Sequence, residues 1–111
     1  MTAAAFAVHA DPRCLRGLLW VYAVPGLDAG RLIAATRDAY PDRLVEGCER
    51  WGEVTVQRLI VQFRFELQLG ARPGEVSFVH RVLASAEQRA ADRAWFEAVL
   101  TATLTATLEA S

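Results

Sequence analysis

An alternation of apolar and polar residues constrains the fold more than any other feature of this sequence. In the stretch LIVQFRFELQL, from Leu59 to Leu69, every second residue is apolar, and polar residues fill the positions between them from Gln62 onward. A period of two places all the apolar residues on one face of a strand. Residues Val54–Leu69, which contain this stretch, are therefore predicted to form a single antiparallel strand with one face in the core. Val54 and Val56 have the opposite parity, so we expect a bulge near Gln57.

The segment GARPG, residues 70–74, predicts a turn that leads into a second strand, EVSFVHRVLAS. Parity fixes how the two strands face each other, because a slip of one residue would turn every side chain to the opposite face. The pairing that sets apolar residues against each other places Phe65 opposite Phe78 and Phe63 opposite His80. The same pairing places Leu67 opposite Val76 and Val61 opposite Val82. It turns His80 inward, among aromatic side chains.

The segment LLWVYAV, residues 18–24, is apolar on both faces and lies between Gly17 and Pro25. Its length and its aromatic and β-branched residues predict a strand that is covered on both sides. A further strand is possible at residues 6–9.

Two helical segments are predicted in the middle of the chain. Asp28 is a suitable N-cap for a helix from Ala29 to about Tyr40, and Pro41 favours a break at that point. Residues 44–51 place Leu44, Val45, Cys48 and Trp51 at helical spacing, so they predict a second helical piece that ends at Gly52.

The C-terminal stretch LTATLTATLEAS alternates like a strand, yet its leucines recur every four residues, as on a helix. Ser85 and Gln88 form a capping-box pattern, and from there to Ala110 neither Gly nor Pro interrupts the chain. We therefore expect a helix that continues through the stretch, with extension as the alternative. Phe96, Leu100, Leu104 and Leu108 then form one apolar row. A second row beside it holds Ala91, Trp95, Val99, Ala102 and Ala106.

These elements predict one α+β domain over residues 1–111, in the order β-α-β-β-α. Its architecture would be two layers, with helices packed on one face of an antiparallel sheet of three or four strands. The length of 111 residues fits a single core.

Composition excludes several functional classes. The net charge is −1 and basic residues form no stripe, so we expect neither nucleic acid nor a membrane as partner. All twelve basic residues are arginine and asparagine is absent, which is typical of a GC-rich bacterial genome. The start of the sequence does not read as a signal peptide, and the two cysteines are widely spaced. A reduced, cytoplasmic protein is the expected setting.

No residue pattern indicates a cofactor or a catalytic group. His9, Cys14, Cys48 and His80 are scattered singly, whereas zinc ligands usually come in close pairs, so we expect no metal site. Cys48 has Glu46 and Glu49 nearby in sequence, which disfavours a reactive thiolate. A buried, neutral His80 is the simplest reading of that residue.

Two functional hypotheses remain. In the first, the protein is a homodimer that acts through protein–protein contact, because its apolar surface exceeds what one small core can bury. Its candidate interface residues are Leu100, Leu104, Leu108, Gln62, Arg64 and Glu66, and the alternative for the polar strand face is a surface open to solvent.

Under the first hypothesis the protein is not an enzyme. The alternative hypothesis is a small-ligand-binding protein or a cofactor-free enzyme. The candidate pocket of this alternative is formed by Trp20, Tyr22, Phe63, His80 and Trp95.

Overall fold

The computed structural model describes residues 6–11 and 17–110, with side chains described up to residue 103. Six strands and two helices follow one another as β1 (Ala7–Ala10), β2 (Leu19–Ala23), α1 (Ala29–Ala39), β3 (Leu44–Trp51), β4 (Val54–Val61), β5 (Phe65–Leu69), β6 (Glu75–His80) and α2 (Ala86–Ala110). The α+β class is confirmed. The predicted strand number and the order β-α-β-β-α are wrong, because the described chain forms one six-stranded sheet in the order β1-β2-β6-β5-β4-β3.

All neighbouring strands of the sheet are antiparallel. Both helices pack on the same face, which we call the inner face, since Leu32 of α1 and Phe96 of α2 belong to the same buried cluster as the strand residues Leu67 and Phe78. The opposite side of the sheet is the outer face. The predicted arrangement of two layers with helices on one side is therefore present.

The prediction of a strand at residues 18–24 is confirmed by β2, which lies between β1 and β6. Trp20 and Tyr22 point to the inner face, where they lie opposite Phe78 and Val76 in the pairing with β6. The alternate residues of the strand, which include Val21, point to the outer face and are only half-buried. The possible strand near residues 6–9 is also present, as β1.

The prediction of one strand from Val54 to Leu69 is wrong, because the segment forms the two strands β4 and β5. The chain turns at residues 62–64, so that Val61 of β4 lies opposite Phe65 of β5. Phe63 adopts a left-handed φ of 67° in this turn, and 66% of its surface is exposed. The alternation of apolar and polar residues continues through the turn, because Phe63 falls at an apolar position of the pattern. Its side chain nevertheless lies outside the core.

The predicted hairpin has the correct parity but the wrong register. Phe65 lies opposite His80 and Leu67 opposite Phe78, which shifts the pairing by two residues from the predicted one. The shift arises because the turn is longer than expected: Leu69 pairs with Val76, so residues 70–75 all lie between the two partners, with Gly74 at a φ of 72° and the amide of Glu75 donating to the carbonyl of Arg72. A shift of two residues preserves the faces, so His80 remains on the inner face.

The prediction of a helical piece over residues 44–51 is wrong, because the segment forms the edge strand β3. Residues Val45–Trp51 are exposed, so their sequence lacks the alternation of apolar and polar residues that a half-buried strand shows. Strand β3 pairs with β4 continuously from Leu44–Val61 to Trp51–Val54, and the expected bulge near Gln57 is absent from this pairing. Val56 instead lies on the outer face, where it is fully buried.

Both capped helices are confirmed. Asp28 accepts a hydrogen bond from the amide of Arg31 at the start of α1, and Ser85 accepts one from the amide of Gln88 at the start of α2. Helix α2 continues to Ala110, so the C-terminal stretch is helical rather than extended.

Helix α2 supplies the centre of the core. Phe96 and Leu100 are completely buried, and the ring of Phe96 lies 4.8 Å from Tyr22 and 5.2 Å from Phe78 between centroids. The second apolar row, through Trp95 and Val99, packs against the same core. The candidate interface residue Leu100 is thus buried within its own chain. The side chains of Leu104 and Leu108 lie outside the described part of the structure.

Replacing Leu100 with alanine should lower the free energy of unfolding by about 2–5 kcal/mol, because the substitution leaves a cavity between α2 and the sheet. Leu83 is 82% exposed and provides a matched control, since Leu83→Ala removes the same atoms from a solvated site. The control should change stability by less than about 0.5 kcal/mol. Urea denaturation followed by circular dichroism measures both values, and equal effects would contradict the assignment of Leu100 to the core.

Candidate functional site

The outer face carries a cavity with a volume of about 580 Å³. Its floor crosses the middle strands of the sheet, and its walls come from β1, the end of β3 and the turn after β5. The lining residues are His9, Asp11, Leu19, Val21, Ala23, Trp51, Gln68, Ala71, Arg72, Glu75 and Ser77. We call this concavity the outer-face cavity.

The floor of the outer-face cavity is apolar where it follows β2. Leu19, Val21 and Ala23 are half-buried there, although none of them contacts the helices. Gln68 and Ser77 lie opposite each other in the adjoining strands and add hydrogen-bonding groups to the floor. An apolar floor with a few convergent polar groups is the usual composition of a small-molecule site.

Trp51 and Arg72 stand at the rim. The indole of Trp51 is 42% exposed and donates a hydrogen bond to Glu49 Oε2 at 2.9 Å, which holds the ring at the end of β3. Among the described residues, the guanidinium of Arg72 has neither an ion pair nor a hydrogen bond. The rim therefore presents one oriented aromatic ring and one cation without a partner in the described chain.

An ion-pair network occupies the part of the outer face nearest β3. Arg58 donates to Glu66 Oε2 at 2.7 Å and also pairs with Glu49, while Gln68 Nε2 donates to the same Glu66 oxygen at 2.8 Å. Burial opposes ionisation of Glu66, but the hydrogen bonds from Arg58 and Gln68 outweigh it, so the pKa of this carboxyl lies below its ordinary value. This network fixes the side chains at one wall of the cavity.

The three polar candidates for an interface do not share one surface. Glu66 belongs to the outer face, whereas Gln62 is exposed in the turn between β4 and β5. Arg64, in the same turn, reaches the opposite side of the sheet and donates to Asp92 of α2, from Nε at 3.0 Å and from Nη2 at 2.5 Å. The predicted polar strand face is therefore divided by the turn.

Asp92 is the most deeply buried charged group in the described chain, with no exposed surface. Only its Oδ1 accepts hydrogen bonds from Arg64, and the buried Oδ2 has no partner among the described residues. Buried carboxylates need a partner because desolvation otherwise disfavours the charge. Arg64 is thus the counter-ion that allows Asp92 to face the core.

His80 lies near this pair, at the end of β6. Its ring is 4% exposed and packs edge-on against Phe78, with 5.0 Å between centroids. Burial, together with the positive charges of Arg89 and Arg93, lowers the pKa of His80, and the charge of Asp92 opposes the shift only in part. The imidazole is therefore neutral at physiological pH, and its buried Nδ1 has no partner in the described residues.

The five residues of the predicted pocket are not brought together. His80 and Phe63 line a smaller cavity, of about 240 Å³, at the end of the sheet. Trp20 and Tyr22 lie elsewhere, against Arg93, whose guanidinium is 3.6 Å from the centroid of the Trp20 ring. Trp95 packs on Tyr40, with 5.1 Å between ring centroids. A volume of 240 Å³ is also below the range of about 300–1,000 Å³ that is usual for ligand sites.

Tyr22 takes part in a polar network rather than in a pocket. Its hydroxyl donates to Glu97 Oε2 at 2.7 Å and accepts from Arg93 Nε at 3.0 Å. Burial raises the pKa of Tyr22 to about 12, so the hydroxyl stays protonated and able to donate. These contacts join β2 to α2.

Sequence reasoning missed the outer-face cavity, although a signal was present. The second face of β2 is also apolar, since it carries Leu19, Val21 and Ala23, and an apolar face indicates a surface that is buried against another group. The sequence predicts that this strand is covered on both sides, whereas its outer face is only half-buried in the described chain. Trp51 and Arg72 could not be assigned to this site from the sequence, because they reach it from two separate turns.

Comparison with known proteins gives no match, whether to a protein-family model, to a curated protein or to a solved structure. Neither helix in the described residues combines the length and the apolar character that a membrane span requires.

Replacing Arg64 with methionine should lower the free energy of unfolding by about 2–4 kcal/mol, because it leaves the Asp92 carboxylate buried without its counter-ion. Loss of a fully buried counter-ion would lower it further, but the Arg64 side chain is one-third exposed. The double variant Arg64→Met/Asp92→Leu should recover most of this loss, since it removes both charges. Denaturant unfolding of the two variants measures the difference, and a double variant as unstable as the single one would contradict the ion-pair explanation.

His80 should make stability depend on pH. Its pKa in the folded protein is lower than the ordinary value of about 6.5, so below that pH the unfolded chain binds more protons than the folded one. The free energy of unfolding should therefore fall as the pH drops from 7.5 to 5.0. The fall should be smaller in His80→Gln, and denaturation at the two pH values compares the variants. Identical losses in both proteins would remove His80 as the cause.

Proposed function

We propose that this protein binds a small amphipathic molecule in the outer-face cavity. The observation that carries the proposal is the combination of an apolar, half-buried floor on β2 with the guanidinium of Arg72, which has no partner among residues 6–11 and 17–110, at the rim. The cavity volume of about 580 Å³ is within the range for ligand sites. This assignment keeps the class of small-ligand-binding protein and moves its site away from His80.

The lining residues favour a ligand with a flat apolar body and one anionic or strongly hydrogen-bonding group. The ring of Trp51 offers a face for stacking, and Val21 and Ala23 offer aliphatic surface beneath it. Arg72 has the geometry to bind a carboxylate or phosphate through two parallel hydrogen bonds. Gln68 and Ser77 can bind further polar atoms of the ligand.

The function proposed is binding rather than catalysis. Glu75 and Asp11 are the acidic groups of the cavity, and they lie among residues that supply stacking and hydrogen bonds. The expected setting, a bacterial cytoplasm, remains part of the proposal and rests on composition alone.

Binding can be measured with 2-naphthoate, an aromatic carboxylate that serves as the probe, by following amide chemical shifts in ¹H–¹⁵N spectra. The shifts should move for residues of β2 and β6 on the outer face and for the indole of Trp51. Arg72→Gln should weaken binding by about tenfold, the lower end of what a charge-assisted hydrogen bond contributes, since the rim is open to water. Arg43→Gln removes an exposed arginine outside the cavity and should leave the affinity unchanged.

A neutral analogue, 2-naphthalenemethanol, separates the two parts of the site. Its affinity should respond to Val21→Arg, which fills the floor, but by less than about twofold to Arg72→Gln. Shifts confined to His80 and Phe63, or the absence of any shift at millimolar probe, would refute the outer-face cavity as a binding site.

A further inference from the structure

The edge of the sheet formed by β3 is open along its whole length. The strand has eight residues, pairs only with β4, and is exposed from Val45 to Trp51. Proteins commonly protect such edges with proline, with a bulge or with a very short strand. None of these three devices occurs in β3, which has eight residues, pairs continuously with β4 and contains no proline; its charged side chains are Glu46, Glu49 and Arg50.

The hydrogen bonds of β3 show which backbone groups point away from the sheet. The amide of Gln62 donates to the carbonyl of Arg43, and Trp51 and Val54 close a turn of two residues. Both observations place the odd-numbered residues at hydrogen-bonded positions of the β3–β4 pair. The backbone amides and carbonyls of Glu46, Cys48 and Arg50 therefore point outward from the free edge.

We infer that β3 pairs with the β3 strand of a second copy of this chain, antiparallel and about a two-fold axis at Cys48. An isologous contact of this kind places residue i opposite residue j and residue j opposite residue i. Arg50 of each copy then lies opposite Glu46 of the other. The outward-pointing groups of Glu46, Cys48 and Arg50 supply about six main-chain hydrogen bonds.

The side chains complement one another in this register on both faces of the joined sheets. On one face the guanidinium of Arg50 meets the carboxylate of Glu46, which already binds Arg37 of its own chain and is still 39% exposed. On the other face Trp51 meets Val45, so the contact covers two apolar side chains that are 42% and 44% exposed in the single chain. Opposite charges and apolar pairs are the favourable cross-strand combinations.

Neighbouring registers lack this complementarity. An axis at Glu46 or at Arg50 brings identical charges opposite each other, and an axis at Glu49 does the same. An axis at Gly47 sets Val45 against Glu49. Like charges directly opposite one another destabilise a strand pair, so the two-fold axis at Cys48 is the arrangement that the residues of β3 favour.

Cys48 serves as a probe for this arrangement. Directly opposite residues at a hydrogen-bonded antiparallel position have Cα atoms about 5.5 Å apart, which a disulfide can span. In a Cys14→Ser background, oxidation with diamide should therefore link two chains through Cys48. Sedimentation of the reduced protein at increasing concentration should show a reversible change from one chain to two.

Two variants test the edge itself. Cys48→Pro removes an outward-pointing amide without affecting the hydrogen bonds to β4, so the chain should stay folded while dimerisation is lost. The control Cys48→Ser keeps the amide, so it should still dimerise but form no disulfide link. Arg50→Glu places carboxylates opposite each other and should weaken the dimer by about tenfold or more at low salt. Circular dichroism confirms folding, and the Arg50 variant decides the question if the proline variant unfolds.

A protein that sediments as a single chain at all concentrations overturns the inference. A dimer that survives both Cys48→Pro and Arg50→Glu, and that forms no link through Cys48, also overturns it and assigns the interface to another surface. Trp51 belongs to both surfaces, but the response of the β2 amides to 2-naphthoate is a separate measurement, so a failure of the dimer does not decide the ligand site.

Discussion

The packing of α2 across the inner face of the sheet determines the rest of this structure. Phe96 and Leu100 fill the space above Tyr22 and Phe78, and no strand residue beneath them is exposed to solvent there. Side chains of both helices and of the strands fill the inner face in this part of the described chain. The concave surface that remains lies on the other side. The location of the candidate site thus follows from the way in which the core is filled.

Polar contacts add orientation to this packing. Arg64 and Asp92 join the turn between β4 and β5 to the first half of α2, and Tyr22, Arg93 and Glu97 join β2 to its middle. Hydrogen bonds and ion pairs are directional, so these contacts fix which strand residues the helix faces. Together they align the helix with the strands, and they leave the outer face free of helix contacts. The hairpin of β3 and β4 then bears both the Trp51 wall of the cavity and the open edge.

The sequence allowed the prediction of those features that depend on burial of a single face. The α+β class, the capped helices and strand β2 were predicted because their apolar patterns reflect contact with one core. Strand β3 was not predicted. Its residues are exposed, so they show no alternation of buried apolar and exposed polar positions, and Val45, Cys48 and Trp51 happen to lie at helical spacing. The turn at Phe63 was missed because apolar alternation continues through it. The cavity could be anticipated only through the second apolar face of β2, because Arg72 and Trp51 converge on it from distant turns.

The order of the strands in the sheet also determines the order in which the chain can assemble. Strands β3 to β6 pair with their neighbours in sequence, but β2 pairs with β6, the last strand to be synthesised. Contacts between distant segments form late, because the intervening loop must first be closed. On the ribosome, the β1–β2 hairpin therefore waits with one edge of β2 unpaired until β6 emerges, and its inner face stays uncovered until α2 follows. This interval is the time at which a nascent chain of this topology is most exposed to aggregation and most dependent on chaperones.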